Sequence, residues 1–238
     1  ISNLYFPDWY LKRLKSEPFE ADFCIVASSF TRRTLEDSGV SKDKILFLPL
    51  GVDLKKFNFE ERPKRGYLQL LFVGGVGQRK GIKYLLDAVK MINSVNVRLK
   101  IVGPIYGSGR AFKEYSGYYE YLGPKAQDEI VGIMHQSDCL ILPSIFEGFG
   151  LVIPEAMATG IPVIATHNSA GPDIIREGID GFVVNPCDSH SIAERIDLIA
   201  SSGARVLEMG RNAAERAKEF SWDKYRFRLN EMLNIINI

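Results

Sequence analysis

The segment Ser144-Ile145-Phe146-Glu147-Gly148-Phe149-Gly150-Leu151-Val152-Ile153-Pro154-Glu155 sets two glutamates eight positions apart around a glycine-rich turn. Ionised carboxylates accept hydrogen bonds, and hydroxyl-rich ligands supply them. A loop that opens a helix offers backbone N–H groups with no partner and the positive end of the helix dipole, which together hold anions. These residues suit a ligand that is both phosphorylated and polyhydroxylated. Surface carboxylates exposed to water are the alternative. Those would not need the framing by Gly148, Gly150 and the apolar Leu151, Val152 and Ile153.

A second segment supplies cations. Gly74-Gly75-Val76-Gly77-Gln78-Arg79-Lys80-Gly81 has the spacing of neither a Walker A loop nor a Gly-x-Gly-x-x-Gly fingerprint. Its N–H groups, Arg79 and Lys80 can still meet a diphosphate. A tight turn with solvated basic residues is the other reading.

The elements that must position these loops alternate along the chain. Short runs rich in β-branched, Leu or aromatic residues occur at 68–73, 97–102, 119–122, 139–142, 162–165 and 181–184. Helical spacing lies between them, in Ile82, Leu85, Leu86 and Val89, in Ile130, Ile133 and Met134, and in Ile174 and Ile175. Asp188 reads as the cap of a helix through Ile192, Ile196 and Ile199. Alternation of this kind predicts an α/β fold with a doubly wound parallel sheet. In such a sheet ligands sit outside the carboxyl ends of the strands. Glycine or small polar residues follow five of the predicted strands, at Gly74, Gly103, Gly123, the 147–155 loop and Thr166. The N-terminal part adds strand-like 22–27, helix-like 31–37 and strand-like 45–48, a single β-α-β unit. The expected division is a remnant at 1–58, a polar linker at 59–65, a main domain at 66–222 and a final helix at 223–238.

Composition narrows the function class. At 46% hydrophobic and 25% charged residues the chain is an ordinary globular one, and a net charge of +1 gives no reason to expect nucleic acid. Cys24, Cys139 and Cys187 form no Cys-x-x-Cys pair, and no Asp-x-Asp pair occurs, so no metal site is expected. The cysteine pattern fits a reducing compartment, hence the cytoplasm. No apolar run reaches the roughly 20 residues of a membrane helix. Residues 4–19 mix Tyr5, Phe6, Trp9, Tyr10 and Leu14 with Lys12, Arg13 and Lys15. That helix could lie at the inner face of a membrane or pack on another domain. His135 and His190 read as solvated or structural, while His167, after the fifth strand, could line the cleft.

Taken together, these residues resemble the retaining glycosyltransferases of family 4, with the GT-B fold. The match is carried by EGFGLVIPEAMATGIPVIAT, FVGGVGQRKGIKYLLDAV, ADFCIVASSFTRRTL and LPLGVDLKKF, and spans residues 20–222. The resemblance implies a GT-B C-terminal Rossmann-like domain with a partial N-terminal β-α-β remnant. It implies transfer of a sugar from a UDP-, GDP- or ADP-sugar to an acceptor, with no cofactor or metal. Glu155 would accept hydrogen bonds from ribose hydroxyls, and Glu147 from hydroxyls of the transferred sugar. Phe149, Gly150, Leu151 and Val152 would offer N–H groups to sugar and diphosphate. Lys80 would neutralise the departing diphosphate beside Gly75, Gly77 and Arg79, and Tyr121 and Leu122 would lie near the base. Family members often carry arginine where this chain has Gly75. The acceptor side would belong to the rest of the N-terminal domain, so this chain alone is expected to be inactive. A sugar-nucleotide epimerase of the same architecture and a non-catalytic nucleotide-sugar-binding module remain as alternatives.

Overall fold

The computed structural model describes residues 7–62, 65–92 and 96–236. Tyr5 and Phe6 of the aromatic cluster, residues 63–64 of the polar segment and residues 237–238 of the final helix lie outside them. The chain begins with α1 (Asp8–Glu20), β1 (Cys24–Val26), α2 (Ser29–Asp37) and β2 (Ile45–Phe47). β1 and β2 pair in parallel, Cys24 opposite Ile45, as a two-stranded sheet. Then follow β3 (Leu68–Val73), α3 (Ile82–Met91), β4 (Val97–Val102), α4 (Arg110–Lys113) and β5 (Glu120–Gly123). Next come α5 (Gln127–His135), β6 (Cys139–Leu142), α6 (Val152–Ala158), β7 (Val163–Thr166), α7 (Gly171–Ile174) and β8 (Gly181–Val184). The last helices are α8 (Ser189–Ala200), α9 (Gly203–Ala217) and α10 (Trp222–Ile235).

Strands β3 to β8 form one parallel sheet in the order β5-β4-β3-β6-β7-β8. The chain winds outward from β3 to β5, then returns to lay β6 beside β3. The strand order therefore reverses between β3 and β6, and the loops leaving those two strands flank the crevice. Helices cover both faces, which is why β6 is apolar at every position and all four of its residues are buried. Side chains alternate between the two cores. Leu70, Phe72 and Ile141 pack with Leu85, Leu86 and Ile196, whereas Leu71, Leu140 and Leu142 pack with Ile153, Met157 and Ala213.

Two features differ from the sequence reading. Helix α9 buries Val206, Met209, Gly210, Ala213 and Ala217, a stripe mostly of small residues that lies against α6. In the polar segment, Arg62 is buried and donates to the carbonyls of Ser137 (3.0 Å), Asp138 (3.1 Å) and Gly160. Burial pushes its pKa down, and Asp138 opposes that shift. The segment is thus stitched to the sheet's amino-terminal side. Cys139 is a core residue, whereas Cys24 is half-buried.

The N-terminal helix α1 buries no residue, and Trp9 (65% exposed) and Leu14 (48%) stand in solvent. Among the described residues no helix is long and apolar enough to cross a membrane.

Candidate functional site

Gly81 brings the two crevice loops together. It has a φ of +67°, and a Cβ there would lie 1.8 Å from the Pro143 carbonyl oxygen. Only glycine lets α3 start in this conformation against the end of β6. The Arg79 carbonyl then accepts a hydrogen bond from the Ile145 N–H at 2.9 Å. Lys80 Nζ consequently donates to Glu147 Oε2, and Arg79 Nη1 reaches the same oxygen at 3.2 Å. The Glu147 and Lys80 side chains are 15% and 16% exposed, so this pair is shielded from water. Arg79 is half exposed and sits 5.9 Å from the centre of the Phe146 ring. Two cations against one carboxylate leave a net positive charge at the mouth of the crevice.

The loop after β6 is pinned along its length. Asn168 Nδ2 donates to Ile145 O at 2.9 Å, and the Glu147 N–H donates to Asn168 O at 2.8 Å. The Phe149 carbonyl accepts from Ala170 N–H at 3.0 Å, and the Phe149 ring is buried. Gly150, with φ +89°, turns the chain into α6, where a Cβ would come within 2.9 Å of Leu142. No side chain caps α6, and in its first turn the Ile153 N–H is taken by Gly150 O at 2.8 Å while Pro154 has no N–H. Because α6 has only seven residues, the Val152 N–H and the N–H groups of the turn before it, rather than a long macrodipole, are what this segment offers an anion.

Glu155 lies in α6, and burial pushes its carboxyl above the usual glutamate range. A hydrogen bond from Gln127 and the charge of Lys56 oppose the shift. Lys56 in turn bonds Gln127 Oε1 at 2.9 Å and Asp128 at 2.6 Å. Lys56 and Gln127, at the start of α5, thus flank Glu155.

Gly75 is next to a tyrosine. A Cβ at Gly75 would lie 2.2 Å from the Tyr106 ring, which is 69% exposed. Val76 N–H bonds Pro104 O at 2.8 Å and Tyr106 N–H bonds Val76 O at 3.0 Å, zipping the loops after β3 and β4 together. Arg79 faces Glu147, and the space above Gly75 is taken by Tyr106. Tyr121 lies on the edge strand β5, where its hydroxyl donates to Gly103 O at 2.8 Å, and Leu122 beside it is half-buried. His135 bonds Asn58 O at 2.9 Å, a structural role, and His190 is exposed. His167 is exposed at the end of β7, and its carbonyl accepts from Arg33 at 3.4 Å. Among the described residues no three His, Cys, Asp or Glu gather as a metal site requires.

The sequence model for glycosyl transferases group 1 matches residues 54–219. The chain belongs to this family. Among similar proteins, an uncharacterized 41.2 kDa protein in the cps region of Klebsiella pneumoniae is 29% identical over 237 residues, which cover 94% of this chain and 62% of that protein. An uncharacterized glycosyltransferase of Methanocaldococcus jannaschii is 31% identical over 206 residues, covering 86% of this chain and 57% of that one. The chain thus spans about six tenths of the length of these two relatives. Its fold superposes on sucrose-phosphate synthase from Thermosynechococcus elongatus with a TM-score of 0.84 at 24% identity, covering 99% of this chain and 63% of that one. Anabaena HepE in complex with UDP and glucose gives 0.81 at 20% identity, covering 96% and 68%. The group 1 chain therefore has the α/β, Rossmann-like architecture of a GT-B protein.

Of the residues singled out in the sequence, the fold gathers Lys80, Arg79 and Glu147 into direct contact. Gly75 and Gly77 lie in the same loop as the two cations. Residues 149–152 lead from Glu147 into α6, which carries Glu155. Tyr121 and Leu122 stand on β5, separated from β3 by β4. Sequence reading missed Tyr106, Asn168, Gln127 and Lys56, and also Ser28 and Thr31, whose hydroxyls bond Gly148 O. The Ser-Ser-Phe-Thr order marks Ser28 as a helix cap, but nothing local announces a bond across 120 positions.

Proposed function

We propose that this chain is the donor-binding portion of a retaining glycosyltransferase of family 4, transferring a sugar from a nucleotide-diphosphate sugar to an acceptor. The observation that carries the reading is the contact of Lys80 and Arg79 with Glu147 between the loops after β3 and β6, where the strand order reverses. Breaking the bond from the anomeric carbon to phosphate oxygen develops positive charge on the sugar and negative charge on the diphosphate. Lys80, Arg79 and the N–H groups of Phe149, Gly150, Leu151 and Val152 would stabilise the departing diphosphate. Glu147 would accept hydrogen bonds from the sugar hydroxyls and Glu155 from the ribose. Gly75 and Gly77 would let the backbone approach the phosphates, and Tyr121 and Leu122 would border the base. HepE, a structural neighbour, has been seen with UDP and glucose. A UDP-sugar is accordingly the first donor to try, ahead of GDP- and ADP-sugars.

We place the remainder at 1–58 on the acceptor side, with 59–65 as connector, 66–222 as the donor domain and 223–238 as the crossing helix. The test is to incubate the full-length protein with each nucleotide sugar and follow products. Transfer to an added acceptor supports the reading. An epimer formed without acceptor, or binding without turnover, overturns it.

A further inference from the structure

The loop that carries Glu147 takes its hydrogen bonds from its own domain at Ile145, Glu147 and Phe149. The carbonyl between the last two, that of Gly148, is held from the N-terminal unit instead. Ser28 Oγ donates to it at 2.6 Å and Thr31 Oγ1 at 3.1 Å. Ser28 is fully buried, and its oxygen also accepts the Thr31 N–H at 3.1 Å, capping α2. The two hydroxyls also lie 3.0 Å apart, so with Ser28 donating to Gly148 O, Thr31 shares its single proton between that carbonyl and Ser28 Oγ. The helix itself is fastened separately. Ser29 N–H donates to Asp173 Oδ2 at 2.8 Å, and Arg33 Nη2 reaches His167 O at 3.4 Å.

All described peptide bonds are trans. The N–H of Phe149 consequently points opposite to the Gly148 carbonyl, away from α2. A Cβ at Gly148 would meet nothing within 4 Å, so the chain is uncrowded on the Gly148 side of this peptide, whereas the buried Phe149 ring anchors the other side. The Gly148 carbonyl itself is held by the two hydroxyls. A plain staple between the two units would be served by the Asp173 and Arg33 contacts. Two donors converging on one carbonyl do something further, since they fix which way the next N–H faces.

We propose that Ser28 and Thr31 are positioning residues for the donor, which lock the peptide between Gly148 and Phe149 so that the Phe149 N–H faces the diphosphate. This rests on the donor-site reading above. The N-terminal unit would in this way complete a group that binds the nucleotide sugar without touching it.

The test uses calorimetry with UDP, GDP and ADP, taking the tightest binder, together with melting curves and the Phe149 amide signal in nitrogen-15 spectra. Thr31→Val keeps the Ser28 cap, so its melting should match wild type. It should weaken nucleotide binding about threefold, and Ser28→Ala/Thr31→Val about tenfold, the scale of one hydrogen bond to an anion. The Phe149 amide should shift or double in both variants. Ser28→Thr, which keeps a hydroxyl at this position, should bind as wild type. Unchanged affinity and an unchanged Phe149 amide in Thr31→Val overturn the proposal, whether or not the double variant folds. If Lys80→Ala still weakens binding in that case, the donor site stands and only the positioning role falls. If wild type binds no nucleotide, or Lys80→Ala binds as well as wild type, the donor-site reading falls and takes this one with it.

Discussion

Replacing Glu147 with glutamine removes the anion that holds Lys80 and Arg79 while keeping the shape of the side chain. In the free protein this carboxylate occupies the cations that a diphosphate would need. An arriving diphosphate must displace it or share the donors of Lys80. Two unit charges 4 Å apart attract by about 4 kcal/mol at an effective dielectric of about 20. Desolvation and side-chain entropy offset most of that, leaving roughly 1.5–3 kcal/mol for a hydrogen bond between charged groups. The Arg79 contact is half exposed and adds little. If removing the competitor returns about 1.4 kcal/mol to the diphosphate, Kd falls about tenfold. Glu147→Gln should therefore bind bare UDP, GDP or ADP more tightly than wild type does, and less so as salt rises. Transfer by the full-length protein should move the other way, dropping about 100-fold or more, the scale of one preorganised contact in the transition state. Calorimetry at low and high salt, run beside a transfer assay, reads both effects. Equal weakening of nucleotide binding and transfer would refute the reasoning and make Glu147 a structural carboxylate.

Other outcomes follow from the same geometry. Glu155→Ala should weaken nucleotide binding by about 1–3 kcal/mol, the cost of losing hydrogen bonds to a charged group, and unchanged calorimetric affinity would end its ribose role. Burial raises the Glu155 pKa above its ordinary 4.5. As pH falls, this carboxylate is protonated earlier than an exposed glutamate, so nucleotide affinity should begin to drop above pH 4.5, and Glu155→Gln should remove that limb. For stability the sign is opposite, because the cost of burying the ionised form is absent below pH 4.5 and grows as pH rises through the folded-state pKa. Arg62→Ala strips three carbonyls of their donor and should cost about 3–5 kcal/mol, seen as a melting point lower by roughly 6–20 °C. Burial pushes the Cys139 thiol up to about 12, so a thiol reagent should label exposed Cys187 in the native chain and reach Cys139 only after unfolding.

The sheet was legible because its strands are buried on both faces. The Cys139–Leu142 run is apolar throughout, which is what a central parallel strand requires. The edge strand β5 was less distinct, and it begins at Glu120 rather than Tyr119. Helix α9 escaped notice since Gly210, Ala213 and Ala217 make up most of its buried stripe, and such small residues carry little hydrophobic signal but allow close approach. A Cβ at Gly210 would lie 2.1 Å from Gly160 O. In the site, Lys80, Glu147 and Glu155 stood out by type and spacing within single strand–loop–helix units. Tyr106, Ser28 and Thr31 did not, because their roles depend on which loops meet in space. Arg62 reads as part of a charged, polar segment, and only the fold shows three carbonyls converging on it.

The most direct test of the central claim is a crystal structure of this chain with a bound nucleoside diphosphate. The expected result places the phosphates between the loops after β3 and β6, with Lys80 on the diphosphate and Glu155 on the ribose hydroxyls. A nucleotide bound away from that crevice, with the Lys80–Glu147 pair undisturbed, would contradict it.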